Sequence, residues 1–195
     1  MSDIVSEIIE KIQQLSSQKE GPVLIALDGK CGAGKTTLAE KISRQIDMNV
    51  IHADHFFLQP YQRTPERRKI PGGNIDHERL FQEVLAPVSA GKTVSYRPFE
   101  CKKQDFGEVI FLPQKHVNLV EGSYSCHPEL WKKYDLHIFL DVDYSEQMRR
   151  IERRNGKEVS KTFQNRWIPL EEKYFSIYKI QEHCELSFCT NSLKK

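Results

Sequence analysis

The sequence lacks a hydrophobic run long enough to cross a membrane and a basic stretch at its start. No apolar segment approaches the ~18 residues that a transmembrane helix needs, and the first residues carry Asp3, Glu7 and Glu10. The sequence also lacks a large excess of charge of either sign, because its 29 basic and 27 acidic residues give a formal net charge of only +2. We therefore expect a cytoplasmic protein that is not exported. The net charge by itself favours neither a nucleic acid nor a membrane as partner.

Several other signatures are missing. The five cysteines include no Cys-x-x-Cys pair, so the sequence predicts neither a disulfide framework nor a zinc site, and a reducing cytosol fits this usage. The Asn-Lys-x-Asp motif of a GTPase switch is absent, and the triplet at 105–107 has no His-Arg-Asp loop, which excludes a protein kinase. No repeat or linker divides the chain, so its 195 residues predict a single domain, 1–195.

What the sequence contains is a phosphate-binding loop between a strand and a helix. Five apolar residues at 23–27 predict a strand buried on both faces of a parallel sheet. The Walker A signature GxxxxGKT follows at 29–36, and apolar residues then recur at helical spacing from Leu38 to Ile46. This order of strand, loop and helix is the context that the motif requires.

The residue types of the loop fit the binding of ATP and Mg²⁺. Glycines let successive backbone N–H groups turn inward on a polyphosphate, and the following helix adds its positive end. Lys35 reaches the β and γ phosphates, and the Thr36 hydroxyl completes the shell of Mg²⁺. For the thiol of Cys31 we favour no redox role, although a helix start can lower a thiol pKa. The predicted ATP-binding residues are Gly29, Lys30, Cys31, Gly32, Ala33, Gly34, Lys35, Thr36 and Thr37.

Two further predicted strands end on carboxylates. The strand at 49–54 ends on Asp54, and the strand at 117–122 carries Glu121. Because the carboxyl ends of parallel strands form the ligand-binding edge of a sheet, both acids are expected beside the phosphate loop. Asp54 is then a candidate base for an alcohol acceptor, and capping of the next turn is the alternative. Glu121 is a candidate Mg²⁺ ligand with Thr36.

Two basic segments allow more than one interpretation. Arginines at 149, 150, 153 and 154 form two i, i+4 pairs on a helix, so one pair can face the phosphates. Arg150 and Arg154 are the predicted catalytic arginines, while a solvated face and, last, a nucleic-acid patch are the alternatives. The loop at 59–73 is either a flap over an anionic substrate or a solvated basic face, and the sequence does not decide between them.

The remaining elements follow from periodicity. An N-terminal helix is expected at 2–16, a helix capped by Asp76 ends near Pro87, and strands are expected at 93–96, 136–140 and 186–189. An aromatic and aliphatic stripe runs from Phe163 to Ile177 at helical spacing, and we expect it to lie in the core.

With these residues in view, the chain resembles the uridine kinase and nicotinamide riboside kinase group of P-loop kinases over 22–189. The segment HADHFF at 52–57 resembles the family's acidic and aromatic motif after the second strand. NIDH at 74–77 is similar to its nucleoside-binding segment, and VEG at 120–122 to its third-strand acid. The arginine helix at 150–154 and the helix at 167–174 resemble the family's lid and the helix after it.

The resemblance implies a fold and a set of roles. The fold is a three-layer α/β P-loop NTPase with a five-stranded parallel sheet between helices, a core at 22–189 and a short lid at about 149–163. It implies ATP as donor, Asp54 as base, Thr36 and Glu121 around Mg²⁺, and Asp76 on the ribose hydroxyls. The implied substrate-binding residues are Asp54, Phe56, Asp76 and Phe99.

The sequence departs from this family where the base of the nucleoside is recognised. Uridine kinases use a Tyr and a His near a hairpin, whereas this chain has Phe99 and Gln104. We predict an ATP- and Mg²⁺-dependent small-molecule kinase that acts on a primary hydroxyl of a nucleoside or nucleoside-like metabolite, with no nucleic-acid or membrane partner and with oligomerisation left open. The alternative is a nucleotide-binding regulatory or switch protein. Retention of Lys35 and both rim carboxylates favours the enzyme.

Overall fold

A computed structural model describes residues 2–191 as a parallel sheet between layers of helices. The strands in chain order are β1 (Val23–Gly29), β2 (Met48–His52), β3 (Val94–Tyr96), β4 (Phe99–Glu100), β5 (Asp105–Phe106), β6 (Ile110–Leu112), β7 (Val117–Glu121), β8 (Leu136–Asp141) and β9 (Leu186–Cys189).

The helices are mostly short. In chain order they are α1 (Ser2–Gln18), α2 (Lys35–Ser43), α3 (Pro65–Lys69), α4 (His77–Leu80), α5 (Ala86–Ser89), α6 (Pro128–Trp131), α7 (Tyr144–Asn155), α8 (Lys157–Thr162), α9 (Ile168–Tyr178) and α10 (Ile180–His183). Two 3-10 turns, Ala53–Phe56 and Pro60–Gln62, follow β2. Two π turns, Phe81–Leu85 and Phe163–Trp167, connect α4 to α5 and α8 to α9.

The main sheet has the strand order β2-β7-β1-β8-β9, and its pairs are parallel. Every residue of the central strand β1 is buried, which confirms the prediction from its apolar run. In this register Leu27 pairs with Glu121, and Glu121 pairs with His52 of the edge strand β2. The carboxyl ends of β1, β2 and β7 therefore meet at one edge, and the predicted five-stranded sheet is confirmed.

Two hydrophobic cores lie on opposite faces of the sheet. Side chains of β1 alternate between them, with Leu24 and Ala26 in one core and Val23, Ile25 and Leu27 in the other. One core includes the large residues Phe56, Leu80, Phe139 and Tyr174. The other includes Ile8, Ile12, Leu38 and Ile42 from α1 and α2. This alternation produces the predicted three layers, because each face of the sheet is covered by helices.

Some expected elements differ in extent. The second strand ends at His52, so Asp54 lies in the 3-10 turn that follows rather than in the strand. The loop at 59–73 contains the helix α3. The Asp76 carboxylate accepts from the backbone N–H of Arg79 at 3.0 Å, which confirms the predicted cap, and the helical segment continues to Ser89. Within residues 2–191, no helix has the length and apolar character that a membrane span requires.

The expectation that the stripe from 163 to 177 lies in the core is wrong for most of its members. Tyr174 is fully buried, whereas Ile177 is 54% exposed. Phe163, Trp167 and Leu170 line a large cavity instead. The π turn at Phe163–Trp167 rotates the helical phase, because it inserts an extra residue per turn just before α9.

Candidate active site

The phosphate loop begins where β1 ends and closes onto α2. Gly29, Gly32 and Gly34 have φ values of 135°, 78° and 98°, which side-chain-bearing residues rarely adopt. At Gly29 a Cβ atom would also lie 2.1 Å from the carbonyl oxygen of Leu140 in β8. Glycine at this position is therefore required both by backbone conformation and by close packing against the neighbouring strand.

Lys35 is held inside the loop. Its Nζ donates hydrogen bonds to the carbonyl oxygens of Gly29 at 2.6 Å and Lys30 at 3.1 Å, and to Ser123 Oγ at 3.2 Å. The side chain is buried. A buried ammonium satisfied mainly by neutral oxygens retains a strong attraction for an anion that enters the loop.

An oxygen-rich cluster lies at the start of α2. Thr36 Oγ1 donates to Glu121 Oε1 at 3.0 Å, and His52 Nδ1 lies 2.6 Å from the same oxygen. The hydrogen bond with Glu121 raises the pKa of His52, so the imidazole is biased towards the cationic form. Hydroxyl and carboxylate oxygens are the ligands that Mg²⁺ prefers, and the donor set of Thr36 and Glu121 therefore fits this ion.

Asp54 faces the same cavity from the turn after β2. Its side chain is exposed to the solvent in the cavity. Partial removal of water by the surrounding protein raises the pKa of Asp54, while the charge of Lys35 lowers it and that of Glu121 raises it. A carboxylate with a raised pKa at the edge of a phosphate site is a suitable acceptor for the proton of a hydroxyl group.

Sequence reasoning missed Glu171 of α9. Its Oε2 accepts from the backbone N–H of Cys31 at 3.0 Å, and its Oε1 accepts from Ser123 Oγ at 2.6 Å. The side chain is buried. The available signal was its position on the buried face of α9, because Ile168, Glu171 and Tyr174 follow at intervals of three residues.

Cys31 has an environment opposite to that of a reactive thiol. Burial raises the pKa of Cys31, and the nearby Glu171 carboxylate raises it further. This agrees with our preference for no redox role, and it shows why the position before a helix start is not sufficient to lower a thiol pKa.

The cavity has a volume of about 1460 Å³ and extends from the loop to α3 and α9. Arg150, Arg153 and Arg154 line it, whereas Arg149 is exposed and outside the lining. Both Arg149 and Arg150 pair with Glu146, at 2.6 and 2.7 Å. The arginines therefore do not separate into the two expected i, i+4 pairs. Arg150 bonds to the carbonyl oxygens of Gly32 at 3.2 Å and Thr190 at 2.6 Å, so it also connects the loop to the end of β9.

The structure does not bring all the expected substrate residues to the cavity. Asp54 lines the cavity. Phe56 is fully buried, and the Arg79 guanidinium lies 4.3 Å from the centre of its ring. Phe99 is also buried, with 4% of its surface exposed. Both rings have packing roles, because neither is part of the cavity lining. Asp76 is also buried and accepts from Gln62 Nε2 at 2.8 Å. Phe57 and Asn74, from the two segments of family resemblance, and Arg63 and Arg68, from the basic loop at 59–73, also line the cavity. Tyr124, which lines it too, was not identified from the sequence.

Sequence comparisons find relatives that are named uridine kinase, and structural comparisons find proteins with a similar fold. No family model matches the chain. The uridine kinase of Ureaplasma parvum serovar 3 is 26% identical over 157 residues, which cover 75% of each chain. A possible uridine kinase from Bacillus stearothermophilus has a TM-score of 0.72 at 17% identity and covers 96% of this chain and 98% of its own.

A second solved structure has a similar fold. A putative fructose transport system kinase from Silicibacter sp. TM1040 has a TM-score of 0.68 at 20% identity, and the match covers 94% of this chain and 98% of the other. The structural likenesses confirm the predicted α/β fold. The sequence relatives confirm the predicted resemblance and support a small-molecule kinase that uses a nucleotide.

Proposed function

We propose that this uridine kinase-like P-loop kinase transfers the γ-phosphoryl group of ATP to a primary hydroxyl of a nucleoside or nucleoside-like metabolite. The observation that supports this most directly is the placement of Asp54 in the cavity that also contains Lys35, Thr36 and Glu121. A phosphate cradle, an oxygen donor set for Mg²⁺ and a carboxylate open to an acceptor then share one cavity.

The donor would lie in the phosphate loop, 29–37. Backbone N–H groups of the loop and Lys35 would hold its phosphates, and Thr36 and Glu121 would hold Mg²⁺. When bound, this ion supplies positive charge that neutralises the phosphate oxygens. Lys35 is already directed into the loop by its bonds to Gly29 and Lys30, so little reorganisation is needed for it to contact a phosphate.

Asp54 would orient the hydroxyl of the acceptor and accept its proton. Arg150 and Arg154 would stabilise the negative charge of the transferring phosphoryl group, since both line the cavity from α7.

We propose that the segment from Arg149 to Phe163 acts as the lid. It contains a break at Gly156, where φ is 82° between α7 and α8, and such a break allows two short helices to change their angle.

We further propose a cytosolic location, a single domain and no nucleic-acid or membrane partner. All five cysteines are free, which fits a reducing compartment. The basic side chains Arg63, Arg68, Arg150, Arg153 and Arg154 line one concave cavity, a shape that fits a small ligand.

The first test is release of ADP by the purified protein with ATP and Mg²⁺ and a panel of nucleosides, nicotinamide riboside, pantothenate and sugars. We expect an increase that depends on the acceptor. Asp54→Asn should lower turnover by at least about 10²-fold and leave ATP affinity within a few-fold. Asp105→Asn is the matched control, because this exposed carboxylate lies outside the cavity lining and, among the described residues, accepts only from the N–H of Phe106.

Two outcomes would contradict the proposal. Full turnover in the Asp54→Asn variant would show that another group accepts the proton. Tight ATP binding with no acceptor-dependent ADP release across the panel would favour the regulatory alternative, in which the same loop binds a nucleotide without transfer.

A further inference from the structure

An arginine without an acidic partner lies in the cavity wall near Asp54. Arg63 lines the cavity, and its Nε and Nη2 donate to the carbonyl oxygen of Leu58 at 3.0 and 2.8 Å. Its Nη1 donates to Gln104 Oε1 at 2.6 Å. Both partners of these three hydrogen bonds are neutral, and no ion pair of Arg63 occurs within residues 2–191. The charge of Arg63 is therefore not neutralised by the described protein.

Neighbouring arginines differ in this respect. Arg67, four residues later, donates to both oxygens of Glu78 at 2.6 and 2.7 Å. Arg79 lies 3.2 Å from Glu83. Neither Arg67 nor Arg79 lines the cavity, whereas the exposed Arg68 does and has no acidic partner in the described part of the chain. The unneutralised arginines of this segment are thus the ones that face the cavity.

The guanidinium of Arg63 is held in place by contacts within the protein. Its Cζ atom lies 5.7 Å from the centre of the Phe99 ring, and the amide of Gln104 that accepts from it also donates to the carbonyl of Cys101. The backbone of Gln104 has a φ of 57°. Phe99 and Gln104, which replace the Tyr and His of uridine kinases, therefore support Arg63. A fixed guanidinium loses little entropy when it binds a carboxylate or phosphate.

Arg63 lines the same cavity as the proposed base, Asp54. Burial raises the pKa of the Cys101 thiol in the same cavity wall, while the charge of Arg63 lowers it and the charge of Asp54 raises it. A single small molecule bound in this cavity, with its hydroxyl at Asp54, can therefore extend towards Arg63. An uncharged nucleoside would leave the positive charge of Arg63 unpaired.

We infer that the acceptor carries an anionic group, a carboxylate or a phosphate, in addition to its primary hydroxyl, and that Arg63 binds this group with Arg68 beside it. This inference rests on the proposed kinase function. It favours the interpretation of the loop at 59–73 as a flap over an anionic substrate rather than as a solvated basic face. Arg63 and Arg68 line the cavity, whereas the charge of Arg67 is neutralised by Glu78 outside it.

The test compares acceptors that differ mainly in one anionic group. Uridine is compared with orotidine, nicotinamide riboside with nicotinic acid riboside, and, for the phosphate arm, fructose with fructose 6-phosphate. Binding is measured by calorimetry with a non-hydrolysable ATP analogue and Mg²⁺, and kcat/KM by ADP release. In at least one pair we expect the anionic member to be favoured by about tenfold or more, the range of a charge-assisted hydrogen bond.

Variants assign this preference to residues. Arg63→Gln should reduce the ratio of anionic to neutral binding towards one. Because Arg63 also donates to the carbonyl of Leu58, the unfolding temperature of the Arg63→Gln variant is measured in parallel. Arg68→Gln removes no described side-chain hydrogen bond and should lower the ratio by a smaller factor. Lys69→Gln is the matched control, since this exposed residue of α3 is outside the cavity lining, and its ratio should match the unaltered protein.

The outcomes separate this inference from the proposed function. Anionic members that bind no better than their neutral partners overturn the inference, whether or not phosphate is transferred. An unchanged ratio in folded Arg63→Gln and Arg68→Gln variants overturns it as well. Arg63-dependent binding of an anionic member without ADP release would support the anion site and overturn the proposed kinase reaction.

Discussion

The carboxylate of Glu171 accepts a hydrogen bond from the backbone N–H of Cys31 at 3.0 Å, within the loop that is expected to hold phosphates. The same carboxylate accepts from Ser123, whose hydroxyl in turn accepts from Lys35. Glu171 therefore shares its donors with the polyphosphate that the proposed reaction would bind in this loop. Binding of the donor must displace this carboxylate, neutralise it or tolerate its charge.

We predict that Glu171→Gln binds ATP more tightly, by roughly tenfold or about 1.4 kcal/mol. The amide keeps the shape and an acceptor for Cys31, but it removes a negative charge beside the phosphates. Titration calorimetry measures the affinity. Glu172→Gln is the control, because this exposed neighbour lies outside the cavity lining, 3.6 Å from Lys30. Weaker ATP binding by Glu171→Gln would instead show that the carboxylate supports the loop.

The pH dependence of turnover should report the environment of Asp54. Removal of water around this carboxylate raises its pKa, and a base works only in its deprotonated form. Activity should therefore be lost, as the pH falls, at a higher pH than the ordinary value of about 3.9 for an aspartate. A profile of kcat/KM between pH 4 and pH 8 would measure this limb, which should be absent from the residual activity of Asp54→Asn.

Thr36 is predicted to set the requirement for Mg²⁺. Thr36→Ala should raise the Mg²⁺ concentration for half-maximal activity by about tenfold or more, since an oxygen ligand is lost. Thr36→Ser retains the hydroxyl and should stay within a few-fold of the unaltered protein. The measurement is ADP release over a range of Mg²⁺ at fixed ATP. Equal Mg²⁺ dependence in the two variants would remove Thr36 from the metal site.

The glycines of the loop should differ in their tolerance of alanine. At Gly29 a Cβ would collide with the Leu140 carbonyl at 2.1 Å, whereas at Gly34 nothing lies within 4 Å. Both have positive φ. Gly34→Ala should therefore cost only backbone strain of about 1–2 kcal/mol, and Gly29→Ala about 3 kcal/mol or more in the free energy of unfolding. Urea denaturation of both variants measures this difference, and equal losses would show that β8 moves to accept the methyl group.

Features encoded by short segments could be predicted from the sequence. The apolar run of β1, the loop glycines and the acid at the end of β7 each follow a local pattern, and the structure places them together at one edge of the sheet. The cap at Asp76 was predicted for the same reason, because its bond spans three residues. The apolar run of β1 indicated a parallel sheet, but the layout of five parallel strands between helices followed from the family resemblance, and the strand order was not predicted.

Features that depend on distant contacts could not be predicted. The bond from Cys31 to Glu171 joins residues separated by 140 positions, and the bond from Arg63 to Gln104 spans 41. No periodicity connects such pairs. The aromatic stripe shows the related problem, because the π turn before α9 changes which face Phe163 and Trp167 present, and helical spacing alone assigns them to the core.

The register of β1 has a consequence for the order of events during synthesis. The strand that carries the phosphate loop pairs with β7 and β8, so that Val23 lies beside Val117 and Gly29 beside Leu140. Such pairings between distant segments form late, after the intervening chain has been closed into a loop. A nascent chain that has emerged only as far as β6 contains the whole GxxxxGKT sequence but neither strand that supports it. We expect the ribosome-bound protein to gain nucleotide affinity only after β8 has left the exit tunnel.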